Sequence, residues 1–125
     1  MAINKARYFS HDDNARSDPK IVSMVAHYGV EGYGRYWIIL EYLRKTTGHK
    51  LEDKTYNWEA LAELMLTKPE EVKKFVKDCV EKFELFIKEE NFYYSQSFLD
   101  RMVKIEQISL IRAAAGRLSH KNNEE

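Results

Sequence analysis

TKPEEVKKFVKDCVEKFELFIKEENFYYS, residues 67 to 95, holds a turn, an amphipathic helix and a hairpin in one run. Thr67-Lys68-Pro69-Glu70 sets proline near a helix start and Glu70 three residues after Thr67, the capping-box spacing. Val72, Phe75, Val76, Cys79, Val80 and Phe83 then recur at intervals of three and four, which predicts a helix over 69–82 with one buried face. Leu85-Phe86-Ile87-Lys88 and Phe92-Tyr93-Tyr94-Ser95 flank Glu89-Glu90-Asn91 as two aromatic-rich strands, predicting a small hairpin over 85–96.

Toward the N-terminus, Trp58, Leu61, Ala62 and Met65 keep helical spacing, with Asn57 as the expected N-cap of a helix over 58–66. Two helices joined by a short turn and followed by a hairpin form the winged-helix arrangement. On this reading 58–66 supports, 69–82 is presented outward and 85–96 is the wing. His49-Lys50-Leu51-Glu52, just upstream, has room only for a small strand or an extended link.

Ser17-Asp18-Pro19 offers an N-cap followed by proline at the first helical position, and Ile21, Val22, Met24, Val25 and Tyr28 continue as one apolar face up to Gly29. Tyr33, Tyr36, Trp37, Leu40 and Leu43 define a second helix from Glu31 to about Thr47, ended by Gly48. Phe98, Met102, Ile105 and Ile108 define a last one over 97–118, before Gly116 and a polar tail. The expected fold is mainly α: a winged helix-turn-helix with added N-terminal and C-terminal helices and a small β-hairpin wing. Its domain spans 19–118, between a polar arm (1–18) and a polar tail (119–125) that reads as the start of a linker.

The chain has 125 residues, enough for one domain with a real core. Twenty basic and twenty acidic residues cancel, so no global field draws it to nucleic acid or an anionic membrane, and any basic surface is local. Its single cysteine, Cys79, has no internal disulfide partner and no second cysteine for a CxxC site. The opening MAINKARYF lacks an apolar signal core, and runs such as Trp37-Ile38-Ile39-Leu40 are too short to span a bilayer. These features predict a cytoplasmic protein that neither crosses nor enters a membrane.

HYGVEGYGRYW (27–37) holds Gly29, Gly32 and Gly34, which invites a phosphate-cradle reading. The order reverses that of G-x-G-x-x-G, no strand precedes it and no Lys-Ser or Lys-Thr follows. A joint between helices is the better reading: Gly29 as left-handed C-cap, Gly32 easing the next helix start, Gly34 admitting a close neighbour. His11-Asp12-Asp13 with His27 and His49 lacks the spacing of a zinc or calcium site, so loop hydrogen bonding and capping are expected instead. Cys79 falls on the apolar face, and no nucleophile-elbow motif occurs. No enzyme activity, cofactor, metal or small-molecule substrate is expected.

Tyr8-Phe9-Ser10-His11-Asp12, Asn14-Ala15-Arg16, Asp18-Pro19-Lys20-Ile21, Tyr28-Gly29, Glu31-Gly32-Tyr33-Gly34 and Tyr36-Trp37 together resemble the N-terminal domain of phage and prophage replisome-organiser (DnaD-like) proteins. The resemblance is strongest over 8–45. It implies a winged helix associated with replication initiation, with DNA binding or self-association as its task and other replication proteins as partners. Such domains precede a linker and a further domain, and Ala113-Ala114-Ala115-Gly116-Arg117 resembles the start of that linker.

For DNA contact, Lys68, Lys73, Lys74 and Lys77 on the polar face of 69–82 are the first candidates. Over 67–83 five lysines face four carboxylates, a weak electrostatic footprint, and Glu89-Glu90 at the wing tip would repel phosphate. Arg101, Lys104 and Arg112 form the second candidate patch, in the most basic segment: five cations against Glu106 over 101–121. The expectation is a non-enzymatic DNA-binding module of a phage-type replication protein. The alternative is an interaction module that forms homo-oligomers through its C-terminal helix, where Ile105, Ile108, Leu110 and Ile111 extend around more than one face.

Overall fold

In the computed structural model, residues 18–124 are described, with side chains through 117. Residues 1–17 of the polar arm, including His11-Asp12-Asp13 and every resemblance motif before Asp18, lie outside the described residues. The rest is mainly helical, with one small antiparallel sheet. Its elements are α1 (Pro19–Arg44), β1 (Leu51–Glu52), α2 (Thr55–Met65), α3 (Pro69–Glu81), β2 (Ile87–Glu89), β3 (Phe92–Tyr94) and α4 (Gln96–Glu124). They fall into two compact units that divide between Ser95 and Gln96.

α1 starts as its sequence dictates. The Asp18 carboxylate accepts the Lys20 amide at 2.9 Å and Pro19 takes the first helical position, where a missing N–H costs nothing. The two expected helices run together as one 26-residue element, broken by non-helical geometry at Gly29. Gly29 has φ 73° and ψ −170°, a region open essentially to glycine alone and different from the expected left-handed cap. Of the other two, Gly32 takes the role expected of Gly34. Gly32 is the close-packed one: a Cβ there would collide with the Tyr28 Cβ and stand 3.0 Å from the Met24 sulfur. Gly34 has nothing within 4 Å of such a Cβ. Gly48 does not end the helix, which stops at Arg44; it sits in a short 3-10 turn, Thr47–His49, at φ 72°.

The core of the first unit lies among α1, α2, α3 and the sheet. Met24, Leu61, Val72, Phe75 and Cys79 are fully buried, with Ile39, Leu43, Leu51 and Val76 around them. Each such side chain contributes about 1.5–3 kcal/mol by leaving water. Tyr36 is buried and stacks on Phe86 at 5.7 Å, while Tyr33 and Trp37 are only half-buried. Of these three rings of α1, only that of Tyr36 is fully in the core.

α2 begins three residues earlier than its hydrophobic pattern, and Asn57 is not its cap. Asn57 is buried, accepts the Tyr42 hydroxyl at 2.7 Å and donates to the Glu52 carbonyl at 2.8 Å. A buried amide left unpaired costs about 1–3 kcal/mol, so these two hydrogen bonds tie α1, α2 and β1 together. Thr67 makes no capping box either: Lys68 is the N-cap of α3, without a side-chain cap bond. Pro69 and the acidic first turn, Glu70 and Glu71, start the helix instead.

β1 joins the hairpin, giving strand order β1-β3-β2 with β3 central. Leu51 and Lys88 both pair with Tyr93, and Glu52 and Glu89 both pair with Phe92. Glu90 turns the hairpin at φ 55°. α4, described by itself, passes Gly116 and continues to Glu124, so the backbone of the expected polar tail is helical. Near its start the Gln96 amide donates to Asp100 at 3.0 Å, one turn on. Among the described residues no helix is long and apolar enough to cross a membrane.

Candidate nucleic-acid interface

α3 is held from beneath. Val72, Phe75, Val76 and Cys79 point into the core, and this spacing forces Lys73, Lys74 and Lys77 to solvent. All three, and Lys68 at the N-cap, are exposed, and among the described residues none is within 4.0 Å of a carboxylate. Lys73 and Lys77 stand one turn apart on the same side, with Lys74 further round.

Asp78, a half-buried carboxylate on α3, is engaged elsewhere. Tyr28 donates its hydroxyl hydrogen to Asp78 Oδ2, and the Lys82 ammonium lies 4.0 Å from Oδ1. The Tyr28 ring also meets Phe75 edge-on at 5.0 Å, so the residue before the Gly29 break fastens α1 to α3. Burial pushes the Tyr28 phenol well above its ordinary range, and the bond to Asp78 adds to the shift. Burial likewise raises the Cys79 thiol, helped by the Asp78 charge, so Cys79 stays protonated and packs as a small hydrophobe.

Beside α3 lies an aromatic floor that links it to the hairpin. Trp58 of α2 meets Tyr93 of β3 edge-to-face at 5.6 Å, and its indole N–H donates to Asp53 at 2.8 Å. Lys73 Nζ stands 5.9 Å from the Trp58 ring centre and Lys88 Nζ stands 5.6 Å from that of Tyr93. One cation from the helix and one from the hairpin therefore border two touching rings. Cation–π attraction of about 0.5–1 kcal/mol each at exposed sites orders both ammonium groups without neutralising them. Burial raises the Tyr93 phenol, and the Asp53 and Glu81 carboxylates add to it, so the ring stays neutral at physiological pH.

Lys88 was not among the residues expected to matter, since Lys88-Glu89-Glu90-Asn91 reads as one acidic tip. In the hairpin, Lys88 pairs with Tyr93 and Glu89 with Phe92, so the two side chains leave opposite faces. The only sequence signal for this is strand alternation counted from the turn. Lys50, equally unforeseen, sits 4.9 Å over the Tyr94 ring.

The second expected patch belongs to α4. Arg101 is half-buried and Lys104 and Arg112 are exposed. Helical spacing puts all three on one stripe with Ile105, Ile108 and Ile111. The structure thus gathers Lys68, Lys73, Lys74 and Lys77 on one helix and Arg101, Lys104 and Arg112 on another. The two histidines among the described residues that raised the metal reading bond locally: His27 Nδ1 to the Ser23 carbonyl at 3.1 Å, His49 Nδ1 to that of Leu43 at 3.0 Å.

A search of curated proteins and a search of solved structures gave no match. A family model described as Lin1244/Lin1753-like, N-terminal, matches residues 8–99.

Proposed function

The chain belongs to the Lin1244/Lin1753-like N-terminal family, and we propose that within it this domain is a non-enzymatic, winged-helix DNA-binding module of a phage-type replication initiation protein. One observation carries the reading: Lys73 of α3 and Lys88 of the hairpin flank the joined Trp58 and Tyr93 rings. A helix and a wing that offer ordered cations side by side suit the phosphates bordering a groove, since phosphate contacts fix register and supply most non-specific affinity. The helix–turn–helix–hairpin order and the sheet order β1-β3-β2 are compatible with a winged helix. The replication assignment draws on the resemblance of 8–45 to replisome-organiser domains.

Lys73, Lys74, Lys77 and Lys88 are the phosphate contacts on this reading, with Lys68 at the helix start. Binding of duplex and of single-stranded DNA across a salt series tests it. Wild type should bind at low salt, with an affinity that falls steeply as salt rises. Reversing Lys73, Lys74 and Lys77 to Glu should abolish binding, and Lys88→Glu alone should weaken it. Undetectable binding by wild type at low salt overturns the reading.

A second reading rests on α4, where Val103, Ile105, Ile108, Leu110 and Ile111 are all exposed. That much uncovered apolar surface on one helix favours self-association, either beside DNA binding or in place of it. Light scattering over a concentration series tests it, and a monomer throughout counts against it.

A further inference from the structure

Resting on this second reading, we propose that the outer face of α2 in one copy takes the basic stripe of α4 from a second copy. The α2 surface is defined by what the helix buries. Asn57, Trp58, Leu61 and Ala62 face the core, which leaves Tyr56, Glu59, Ala60, Glu63 and Leu64 along the opposite side. Tyr56 is 62% exposed, Leu64 58% and the cap residue Leu66 91%. From Thr55 to Met65 the helix holds two glutamates and no basic residue.

Local stability argues against this composition. Glu63 lies in the last turn, near the negative end of the helix dipole, and no basic residue shares that turn. Leu66 adopts φ 56° and ψ 45°, where glycine or asparagine is usual, and holds a large apolar side chain almost wholly in water. Three local rules are broken at one end of one helix, and none of the breaks serves the core. Such a concentration of misfits marks a surface that meets something else.

α4 carries the complementary pattern. Arg101, Lys104, Ile105, Ile108, Ile111 and Arg112 fall on one stripe, with three cations and no carboxylate among them. Two α4 stripes laid antiparallel would bring Arg101 against Arg112, and two α2 faces would bring glutamate against glutamate. Like charges at that range repel, whereas α2 against α4 sets acids beside bases around an apolar seam. Their lengths agree too: at 1.5 Å per residue, α2 is about 16 Å long and the stripe about 18 Å.

Charge-reversed chains test the pairing. Glu59→Lys with Glu63→Lys makes α2 basic, and Arg101→Glu with Lys104→Glu and Arg112→Glu makes the α4 stripe acidic. Static light scattering should give wild type a mass above its single-chain 14.8 kDa. Each variant alone should return to the single-chain mass, and an equimolar mixture should regain the larger one. Far-ultraviolet circular dichroism establishes that each variant keeps its helices, and Leu64→Ser with Leu66→Ser, which changes no charge, should also lower the mass. An assembly that persists in both reversed variants, or a mixture that stays monomeric, overturns the pairing but leaves self-association standing. A wild type that is monomeric throughout overturns both.

Discussion

α3 and α4 both mix apolar residues with lysine or arginine, yet they use the apolar residues in opposite ways. In the 13 residues of α3, Val72, Phe75, Val76 and Cys79 are at most 1% exposed, and charge is confined to the other side. In α4, Val103, Ile105, Ile108, Leu110 and Ile111 are each at least 45% exposed and interleave with the cations. A lysine on α3 is therefore carried on a helix fixed to a core, while an arginine on α4 stands beside apolar surface that folding has left uncovered. Fixed cations suit a rigid ligand such as a duplex backbone, and an uncovered mixed stripe suits another helix.

The largest difference should appear on removing one apolar side chain from each helix. Phe75→Ala should cost about 3–5 kcal/mol in urea unfolding, while Leu110→Ala should stay within about 0.5 kcal/mol. Equal losses would mean that α4 is as well covered as α3. Next in size is Gly29→Ala, because no alanine takes φ 73° and ψ −170° without strain. A loss of about 1–3 kcal/mol is expected, since the break sets Tyr28 on α3. A neutral result would detach that geometry from the stability of α3.

Tyr28→Phe removes the bond to Asp78 and should cost about 1.5–3 kcal/mol at neutral pH, the range for a charged acceptor, or less where water reaches the pair. Its pH dependence is the sharper sign. The folded Tyr28 phenol is raised above its ordinary value of 10.0, so the unfolded chain releases this proton first as pH rises. The stabilisation is complete below pH 10 and declines above it; in Tyr28→Phe that part of the alkaline decline should vanish, leaving the parts that Cys79 contributes above 9 and Tyr93 above 10. The smallest effect concerns DNA. Lys73→Gln should lower the slope of log affinity against log salt by about 0.9 for a duplex, and should cost at most the about 0.5–1 kcal/mol of its contact with Trp58. The same substitution at Lys104 should leave the slope alone if α3 and the hairpin carry the contact.

What could be read in advance followed the range of the interactions. Val72 to Phe83 announced α3 because helical periodicity is local, and Asp18-Pro19 announced the start of α1 for the same reason. Asn57 reads as a cap in the sequence because its partners, Tyr42 and Glu52, belong to other elements. The close contact falls at Gly32 and not at Gly34, which only packing reveals. α4 runs on from the expected end at 118 to Glu124, a polar stretch with no apolar periodicity to announce it. Lysines could be counted in the sequence, but the rings beneath Lys73 and Lys88 depend on contacts between residues 15 and 5 positions apart.

The pairing of Lys88 with Tyr93 makes the electrostatic character of the hairpin a matter of parity. Side chains alternate along a strand, so sliding β2 by one residue against β3 would turn Lys88 away and bring a neighbour such as Glu89 over the ring. Composition, net charge and helix content would all be unchanged. The register of the hairpin, as much as the presence of a lysine, then sets the sign of the charge beside the Tyr93 ring.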